Sequence, residues 1–358
     1  MDLRSFYKGK RVLVTGHTGF KGSWLCRILQ LFGAEVTGYS LEPPTDPSLF
    51  AVAGIAREMQ SFTGDVRDME GLLKVFERTR PEIVLHLAAQ PIVWESYRDP
   101  VGTYSTNVMG TVHLLEAVRQ TPGILSVLNV TTDKVYLNRE WLWGYREDEP
   151  LDGYDPYSNS KSCSELVTHS YIRSFFQANG PAVSTARAGN VIGGGDFAAD
   201  RIVPDCVRAA LAKEKIVLRN PNSTRPYQHV LEPLFAYLMI AKEQAEDPGK
   251  AGFYNVGPGE ADCVTNGKLA ELFCTLWGEG LSWEAKDMNG PHEANFLKLD
   301  CSLLKGTFGW KPVFSIEEAV AATVEWSKVY AVGGDVRKMM DTQIARYEKL
   351  FGGNGDVI

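Results

Sequence analysis

Two short runs of this sequence combine residue types that can move protons. Tyr157 and Lys161 form a Tyr-x-x-x-Lys motif, and on a helix such residues share one face, about 6 Å apart along the axis. An ammonium group held there favours the phenolate and lowers the phenol pKa from its usual value of about 10. Such a tyrosine can accept a proton from a substrate hydroxyl. The motif is also common by chance, and a packed tyrosine with a solvated lysine is the alternative.

The second run, Thr132-Asp133-Lys134, places a carboxyl and an amine directly after an apolar segment at 125–130. A protonated carboxyl can donate a proton to a leaving group, and a neutral amine can accept one. An ordinary ion pair on the protein surface is the alternative interpretation. Together with the Tyr-x-x-x-Lys motif, this pair indicates chemistry beyond simple hydride transfer.

A glycine-rich turn near the N-terminus predicts nucleotide binding. It contains Gly16, Gly19 and Gly22. An apolar run at 11–15 precedes the turn, an amphipathic helix is predicted at 23–32, Gly33 ends that helix, and a second strand is predicted at 35–39. In such a βαβ unit the glycines let the backbone approach a pyrophosphate at the helix N-terminus. A glycine turn with only a structural role is the alternative.

The ribose-binding end of this unit departs from the usual pattern. Many such folds carry an acid at the end of the second strand, whereas this chain has Ser40 there and no acid before Glu42. His17 and Lys21 within the glycine turn add potential positive charge. These departures weaken the case for tight NAD binding and leave NADP open.

A third short strand is followed by the run 64–68, which contains Asp65 and Val66. Asp65 can accept a hydrogen bond from an adenine amino group while Val66 packs on the ring. The alternative for Asp65 is the N-cap of the following helix.

Alternating elements predict the fold class. Strands are predicted at 12–15, 35–39, 83–87, 126–130 and 183–186, and long helices at 99–120 and 156–178. This alternation predicts a parallel sheet covered on both faces, an α/β doubly wound sheet of the Rossmann type. Ligands bind such sheets outside the carboxyl ends of the strands, where both chemical runs fall.

After residue 190 the pattern changes, which indicates a smaller, interleaved C-terminal substrate domain. Helices are predicted at 204–213 and 230–244, a strand at 216–218, and a strand at 252–256 that returns to the first sheet. We assign residues 1–188 and 228–256 to the dinucleotide-binding domain, and residues 189–227 and 257–358 to the substrate domain.

Composition limits the possible partners. The 358 residues are 44% hydrophobic, which is enough for a large core, and the net charge of −7 provides no basic footprint for nucleic acid. The N-terminal residues are polar, and no apolar stretch has the length of a membrane span. The six cysteines show no Cys-x-x-Cys spacing, and the six histidines form no ligand pairs. We expect a cytoplasmic enzyme without a metal, nucleic-acid or membrane partner.

Taken together, these motifs resemble the extended short-chain dehydrogenase/reductase family over nearly the whole chain. The matching pieces are Gly16-x-x-Gly19-x-x-Gly22, Asp65-Val66, His86-Leu87-Ala88-Ala89-Gln90, Asn107-Val108-x-Gly110-Thr111, Tyr157-x-x-x-Lys161, Arg187-x-Gly189-Asn190-Val191 and the run 225–230. The run 131–136 is similar to that of nucleotide-sugar 4,6-dehydratases. Lys134, with 143–148 and 153–158, most resembles the members that act on CDP-glucose, since relatives acting on dTDP- and GDP-sugars carry Glu at this position.

The resemblance implies a reaction of deoxysugar biosynthesis in which NAD is an internal hydride shuttle. C4 of the hexose is oxidised, water is eliminated across C5 and C6, and the hydride returns to C6. Tyr157 is expected to be the base at the C4 hydroxyl, with Lys161 stabilising its phenolate. Lys134 is expected to be the base at C5, Asp133 the proton donor to the C6 hydroxyl, and Thr132 a hydrogen-bond donor to the C4 oxygen.

The resemblance also implies binding residues. The expected cofactor contacts are Gly16, His17, Gly19, Phe20, Lys21, Gly22, Asp65, Val66, Leu87, Ala88, Ala89, Thr106, Tyr157 and Lys161. Arginine is the natural partner of a sugar diphosphate, so Arg225 is expected to bind it, together with Asn190. Arg201 and Arg219 are further candidates, each with a solvated surface arginine as the alternative.

Other interpretations stay open. A nucleotide-sugar 4-epimerase or 4-reductase uses the same Tyr157 and Lys161, although the Asp133-Lys134 pair argues against it. A dTDP- or GDP-hexose is the alternative substrate to a CDP-sugar, since no pattern identifies the base. A non-catalytic NAD(P)-sensing regulator would not need Tyr157 and Lys161. A homo-oligomer, dimer or tetramer, is expected through the two long helices, and His292 and Glu293 lie in a late loop that could close over the nucleotide.

Overall fold

The computed structural model describes residues 2–177, 180–286 and 296–353, so His292 and Glu293 lie outside the described residues. The strands are β1 (Arg11–Thr15), β2 (Glu35–Ser40), β3 (Gln60–Thr63), β4 (Ile83–His86), β5 (Ser126–Val130), β6 (Ala182–Arg187), β7 (Val191–Ile192), β8 (Ile216–Leu218), β9 (Thr224–Arg225), β10 (Gln228–His229), β11 (Phe253–Asn255), β12 (Val264–Thr265) and β13 (Trp283–Ala285).

The helices pack around these strands. They are α1 (Leu3–Tyr7), α2 (Phe20–Leu31), α3 (Leu49–Val52), α4 (Met69–Thr79), α5 (Val93–Arg98), α6 (Pro100–Tyr104), α7 (Gly110–Gln120), α8 (Pro156–Tyr171), α9 (Ile202–Ala212), α10 (Leu231–Glu246), α11 (Asn266–Trp277), α12 (Ser302–Phe308), α13 (Ile316–Ala331) and α14 (Val336–Gly353). None of the helices in the described ranges combines the length and apolar character that crossing a bilayer requires.

A seven-stranded sheet forms the centre of the molecule, in the order β11-β6-β5-β4-β1-β2-β3. Every pairing within it is parallel. This confirms the predicted α/β doubly wound class and the predicted return of a strand near residues 253–255 to the first sheet. The chain runs outward from β1 on one side and from β4 on the other, so the switch point lies between these two strands, where ligand crevices form in such sheets.

Side-chain alternation along the strands builds one core on each face of the sheet. Val12 and Val14 of β1 join the core formed with α2, α10 and α14, and Leu13 between them joins the core formed with α4 and α7. Helix α2 has a wide buried surface, since every residue from Gly22 to Leu29 is buried, rather than the amphipathic pattern expected from the sequence. The reason is that α2 packs between the sheet and other helices.

The elements β8, α9, α11 and α13 lie outside the seven-stranded sheet and form a second, smaller lobe. This second lobe has its own core, which includes Leu218, Cys206, Phe273 and Val320. Helix α14 lies within the range predicted to be part of the substrate domain. Its Tyr347 packs in the core beneath the seven-stranded sheet. The division into two domains at the stated boundaries stays a prediction.

The two long helices expected at 99–120 and 156–178 are present but interrupted. A wider π-helical turn at Ser105–Met109 separates α6 from α7, and another at Ile172–Phe176 follows α8. The first turn carries Thr106 to the wall of the cavity described below. The start of α8 is set by Asp155, whose carboxylate accepts from the backbone N–H of Ser158, with Pro156 in the first turn.

Candidate active site

A cavity of about 1250 Å³ lies at the carboxyl ends of the strands, between the sheet and the second lobe. Most of the residues selected from the sequence line it: Gly16, Gly19, Phe20, Lys21, Gly22, Asp65, Val66, Leu87, Ala88, Ala89, Thr106, Thr132, Lys134, Tyr157, Lys161, Asn190, Arg201 and Arg225. The tertiary structure thus brings together segments that are up to about two hundred positions apart in the chain. His17, Asp133 and Arg219 do not line the cavity.

The glycine turn is packed too tightly for side chains. Gly16 has a φ of +76°, and a Cβ on it would lie 2.7 Å from the backbone nitrogen of Ala88. A Cβ on Gly22 would lie 2.1 Å from the carbonyl oxygen of Gly16. The backbone therefore presents an open surface at the N-terminus of α2, which is the arrangement that accepts a pyrophosphate. These residues fit a dinucleotide such as NAD.

His17 does not supply the positive charge expected from the sequence. Its ring is buried beneath Gly38, its Nε2 lies 2.7 Å from the hydroxyl of Ser61, and burial lowers its pKa to about 4. Lys21 does line the cavity, but its Nζ donates to the Tyr237 hydroxyl at 3.0 Å. Burial, and then the charges of Lys161 and Arg201, lower the pKa of Lys21 to about 7. The turn is therefore less cationic at neutral pH than its residue types indicate.

The end of the cavity that is predicted to hold adenosine contains Ser40 and Asp65. Thr18 and Ser40 hydroxyls lie 2.9 Å apart. Asp65 accepts hydrogen bonds from the side chain and backbone of Arg67, which lower its pKa. The N-cap of α4 is Asp68, so the alternative role of Asp65 as that cap is wrong. Asp65 stays a predicted contact to adenine, with Arg67 as a competing partner.

The triplet Thr132-Asp133-Lys134 begins immediately beyond β5 and forms a compact hydrogen-bonded group. Oδ1 of Asp133 accepts from Thr132 Oγ1 and from Lys134 Nζ, each at 3.0 Å. The Asp133 side chain is fully buried, and that of Lys134 is 30% exposed. Oδ2 of Asp133 has no hydrogen-bond partner within the described ranges. The pair is thus not the surface ion pair considered from the sequence, because the carboxylate lies beneath the cavity wall.

Tyr157 and Lys161 lie on one face of α8, as the spacing predicts, and both line the cavity. The expected lowering of the phenol pKa is not found. Burial raises the pKa of Tyr157 to about 12, against a smaller lowering by a hydrogen bond to Thr132. Burial lowers the pKa of Lys161 to about 8, partly offset by the carboxylate of Glu165. Nζ of Lys161 donates to the carbonyl oxygen of Val130 at 3.1 Å.

A buried ion pair behind this face was missed from the sequence. Glu165, one turn after Lys161, accepts from Arg187 at 3.0 Å and from Thr185 at 2.7 Å. Arg187 also donates to the Tyr136 hydroxyl at 2.8 Å. Burial alone would raise the pKa of Glu165, but the charge of Arg187, followed by hydrogen bonds that include those from Arg187 and Thr131, lowers it to about 2. The network anchors α8 to the end of β6 and to the segment after the triplet.

The substrate side of the cavity contains three of the four residues predicted to bind the diphosphate. Asn190 has a φ of +48° and a buried Nδ2 with no partner in the part of the chain that is described. Arg201 pairs with Asp196 at 3.2 Å, and Arg225 is 8% exposed. Arg219 lies behind the wall, paired with Asp200 at 3.0 Å.

Other lining residues were not selected from the sequence. Trp94 of α5 lines the cavity and its ring centroid lies 5.7 Å from the guanidinium carbon of Arg219. Tyr227 and Asn266 also line it, with a hydrogen bond of 2.6 Å between them. Tyr227 lies within the run 225–230 that carries the family resemblance, which is a signal that could have identified it.

His86 is packed in the core, with its Nδ1 2.7 Å from the Thr15 hydroxyl. Across the described residues no group of three histidine, cysteine, aspartate or glutamate side chains could hold a metal ion.

Comparison with known proteins identifies the family. A family model described as GDP-mannose 4,6 dehydratase matches residues 13–323. The chain is 48% identical over 350 residues to a CDP-glucose 4,6-dehydratase of Salmonella typhimurium, covering 96% of this chain and 98% of that protein. It is 30% identical over 336 residues to a probable dTDP-glucose 4,6-dehydratase of Sinorhizobium fredii, covering 88% and 92% of the two chains.

A solved structure extends the likeness to the fold. The UDP-glucose 4-epimerase of Thermus thermophilus, solved in complex with NAD, matches with a TM-score of 0.77 and 26% identity, covering 89% of this chain and 99% of that one. The family predicted from the motifs is confirmed. This chain belongs to the nucleotide-sugar 4,6-dehydratases of the extended short-chain dehydrogenase/reductase family.

Proposed function

We propose that this protein converts CDP-D-glucose to CDP-4-keto-6-deoxy-D-glucose, with NAD as its cofactor. The observation that carries the proposal is the position of Asp133 and Lys134, which lie in contact at the carboxyl end of β5, beside the cavity that Tyr157 and Lys161 also line. The 48% identity with the Salmonella typhimurium CDP-glucose 4,6-dehydratase supports the same substrate.

NAD bound along the glycine turn would supply the hydride acceptor for C4 oxidation and the hydride donor for C6. Tyr157 accepts the C4 hydroxyl proton as the hydride leaves. The base is the phenolate, and a phenol with a pKa of about 12 must first lose its own proton to solvent to form it. The ammonium of Lys161, on the same helix face, stabilises this phenolate before it accepts the substrate proton. Thr132, whose hydrogen bond lowers the pKa of Tyr157, holds the phenol in place.

The Asp133–Lys134 pair carries out the elimination. Transfer of one proton from Lys134 Nζ to Asp133 Oδ1, across their 3.0 Å contact, produces both forms that the step needs. The neutral amine removes the C5 proton, which the C4 ketone has made acidic, and the carboxylic acid protonates the C6 hydroxyl as it leaves as water. The pair then returns to its charged forms, so the proton balance closes.

Arg225 and Asn190 are proposed to bind the diphosphate, since a guanidinium and an amide N–H₂ are donors that match phosphate oxygens. Arg201 lines the same wall and adds positive charge. We place Arg219 in a supporting position, because its partner Asp200 lines the cavity and Arg219 itself does not.

The proposal is tested by incubating the purified protein with CDP-, dTDP-, GDP- and UDP-glucose, with and without added NAD. We expect a 4-keto-6-deoxy sugar, detected by its absorbance in alkali, with CDP-glucose as the best substrate. Equal or faster turnover of another nucleotide sugar would refute the assignment of the base. Formation of CDP-galactose without the keto sugar would instead indicate a 4-epimerase.

We also propose that the protein forms a homo-oligomer through the surface of its two long helical segments, namely α6, α8 and the π-helical turn that follows each of them. This surface exposes apolar side chains, namely Val101, Met109, Leu166 and Phe175. Burying such side chains between two copies of a chain removes apolar area from water. Light scattering measures the molar mass of the purified protein in solution. A variant with both Leu166→Glu and Phe175→Glu is expected to be a monomer. A monomeric wild-type protein would refute the proposal.

A further inference from the structure

The Asp133 carboxyl group occupies the space that any side chain at position 189 would need. A Cβ built on Gly189 would lie 2.0 Å from Cγ and 2.1 Å from each carboxyl oxygen of Asp133. Gly189 is not among the glycines in the left-handed region. The requirement for glycine here is therefore one of space and not of backbone conformation.

The backbone at position 189 is held from the other side. Gln228, which is 2% exposed, donates from Nε2 to the carbonyl oxygens of Gly189 at 3.3 Å and Val256 at 2.9 Å. Gln228 also pairs with Val191 in the parallel register of β7 and β10. Moving the backbone away from Asp133 would break these buried hydrogen bonds, so a side chain at 189 would displace the carboxyl group instead.

Displacement of the Asp133 carboxyl group would disturb its contact with Lys134, through which the proposed elimination transfers a proton. Both polar contacts of the carboxylate, from Thr132 and Lys134, are made to Oδ1 at 3.0 Å. A shift of about 1 Å removes a contact of this length from hydrogen-bonding range, and misplacement by such an amount is expected to slow a positioned proton transfer by about a hundredfold.

We infer that Gly189 is a positioning residue for the dehydration step, which it serves by leaving room for Asp133 beside Lys134. The inference rests on the proposed function. Gly189 acts through Asp133, since the three atoms nearest to a Cβ at position 189 all belong to its carboxyl group. Tyr157 and Lys161, which serve C4 oxidation in the proposed mechanism, lie on α8 instead. A Gly189→Ala variant should therefore keep C4 oxidation and lose most of the elimination of water.

The first test follows both halves in the Gly189→Ala enzyme with CDP-glucose and NAD. We expect C4 oxidation to continue, so that the absorbance of reduced nicotinamide accumulates, while keto-deoxy sugar forms about a hundredfold more slowly. Gly257→Ala is the matched control, because a Cβ there makes ordinary contacts of 3.5 and 3.7 Å, and it should behave like wild type. Equal slowing of both halves in Gly189→Ala would overturn the inference.

A second substrate separates a positioning role from a merely structural one. With CDP-6-deoxy-6-fluoroglucose, Lys134, whose side chain is 30% exposed, passes a proton to solvent and then removes the C5 proton as a neutral amine. A C5–C6 double bond forms, the C6–F bond breaks, and fluoride leaves as an anion without a proton donor. For each substrate we compare the elimination rate of Gly189→Ala with that of the wild type. We expect this ratio to be much closer to one for the loss of fluoride than for the loss of water. An equal fall in the elimination rate with both substrates would show that Gly189→Ala does not act through Asp133.

Melting temperatures test the contact itself, even if the wild type does not dehydrate CDP-glucose and the proposed function fails. Gly189→Ala should lower the Tm of the wild-type protein. In an Asp133→Ala background the added methyl group enters the space left by the carboxyl group, so the second substitution should lower the Tm little or not at all. An equal fall in both backgrounds would refute the contact as the reason for the glycine.

Discussion

Nζ of Lys134 lies 3.0 Å from Oδ1 of Asp133, and the lysine side chain is 30% exposed while the aspartate has no exposed surface. The lysine reaches the cavity wall and the carboxylate lies beneath it. Removing Lys134 would leave the buried Asp133 carboxylate without a charged partner. The carboxylate therefore depends on Lys134 for charge compensation, and the proposed elimination passes a proton between the two groups.

Replacing either member of this pair should abolish dehydration in a protein that still folds. For Lys134→Ala and Asp133→Asn we expect product formation to fall by about 10²–10⁴-fold, the usual effect of losing a general acid or base. Circular dichroism should be unchanged. Lys215→Ala is a suitable control, since its ion pair with Glu284 is exposed. Near-normal turnover in either active-site variant would reject the assigned roles.

Activity should stop rising with pH where Lys161 loses its charge. Burial lowers the pKa of Lys161 to about 8, so its ammonium is present below this pH and lost above it. The phenol of Tyr157, with a pKa of about 12, is largely protonated in this range, so the fraction of phenolate that can act as the base rises with pH. We expect kcat/KM for C4 oxidation to rise up to about pH 8 and to level off above it, because loss of the ammonium offsets the gain in phenolate. In Lys161→Arg, whose guanidinium stays charged, any residual activity should continue to rise above about pH 8; a plateau at the same pH would point to another group.

Glu232 should make the stability of the fold depend on pH. Its carboxylate is buried, accepts from the backbone N–H groups of Val313 and Phe314, and contacts the Tyr347 hydroxyl at 2.8 Å. Burial raises its pKa to about 7, against a smaller lowering by these hydrogen bonds. The contribution of Glu232 to stability is therefore fully present below the unfolded pKa of about 4.3 and is lost as the pH rises through about 7.

A Glu232→Gln variant isolates this effect. Glutamine keeps the carbonyl acceptor but cannot ionise. Between about pH 4.5 and pH 8, the free energy of unfolding of the variant should rise relative to wild type by roughly 3 kcal/mol. Urea denaturation at several pH values measures the difference. A difference that does not change with pH would show that Glu232 does not titrate in this window.

A methyl group in the glycine turn should weaken cofactor binding. In Gly22→Ala the new Cβ would meet the Gly16 carbonyl oxygen at 2.1 Å, so the turn must shift away from the position that accepts a pyrophosphate. We expect NAD affinity to fall at least about tenfold, or about 1.4 kcal/mol, measured by quenching of tryptophan fluorescence. Gly306→Ala, where a Cβ has no neighbour within 4 Å, should bind NAD like wild type.

Short-range patterns predicted much of this molecule. The alternation of apolar runs and helical segments predicted the parallel sheet, because strands buried on both faces read as continuous apolar runs. The predicted boundaries of β1, β2, β5 and β6 agree with the structure within one or two residues. The run 132–134 and the Tyr157–Lys161 pair were predicted to lie near the carboxyl ends of the strands, and Thr132, Lys134, Tyr157 and Lys161 do line one cavity there.

Charge states could not be predicted in the same way. His17 and Lys21 look cationic in the sequence, yet burial lowers their pKa values to about 4 and about 7. Burial also raises the pKa of Tyr157 to about 12, opposite to the expected direction. Desolvation depends on how many atoms pack around a group, and those atoms come from distant segments of the chain.

The sequence by itself determined the class of fold, the family and the residue types available for catalysis, because these follow from local periodicity and from motifs only a few residues long. Tertiary structure alone decided which of those residues meet the cavity, that Asp133 is buried against Gly189 while Lys134 is not, and that Glu165 and Arg187 pair behind the catalytic helix. Contacts of this kind join positions far apart in the chain, and packing in three dimensions sets both their distances and their charges.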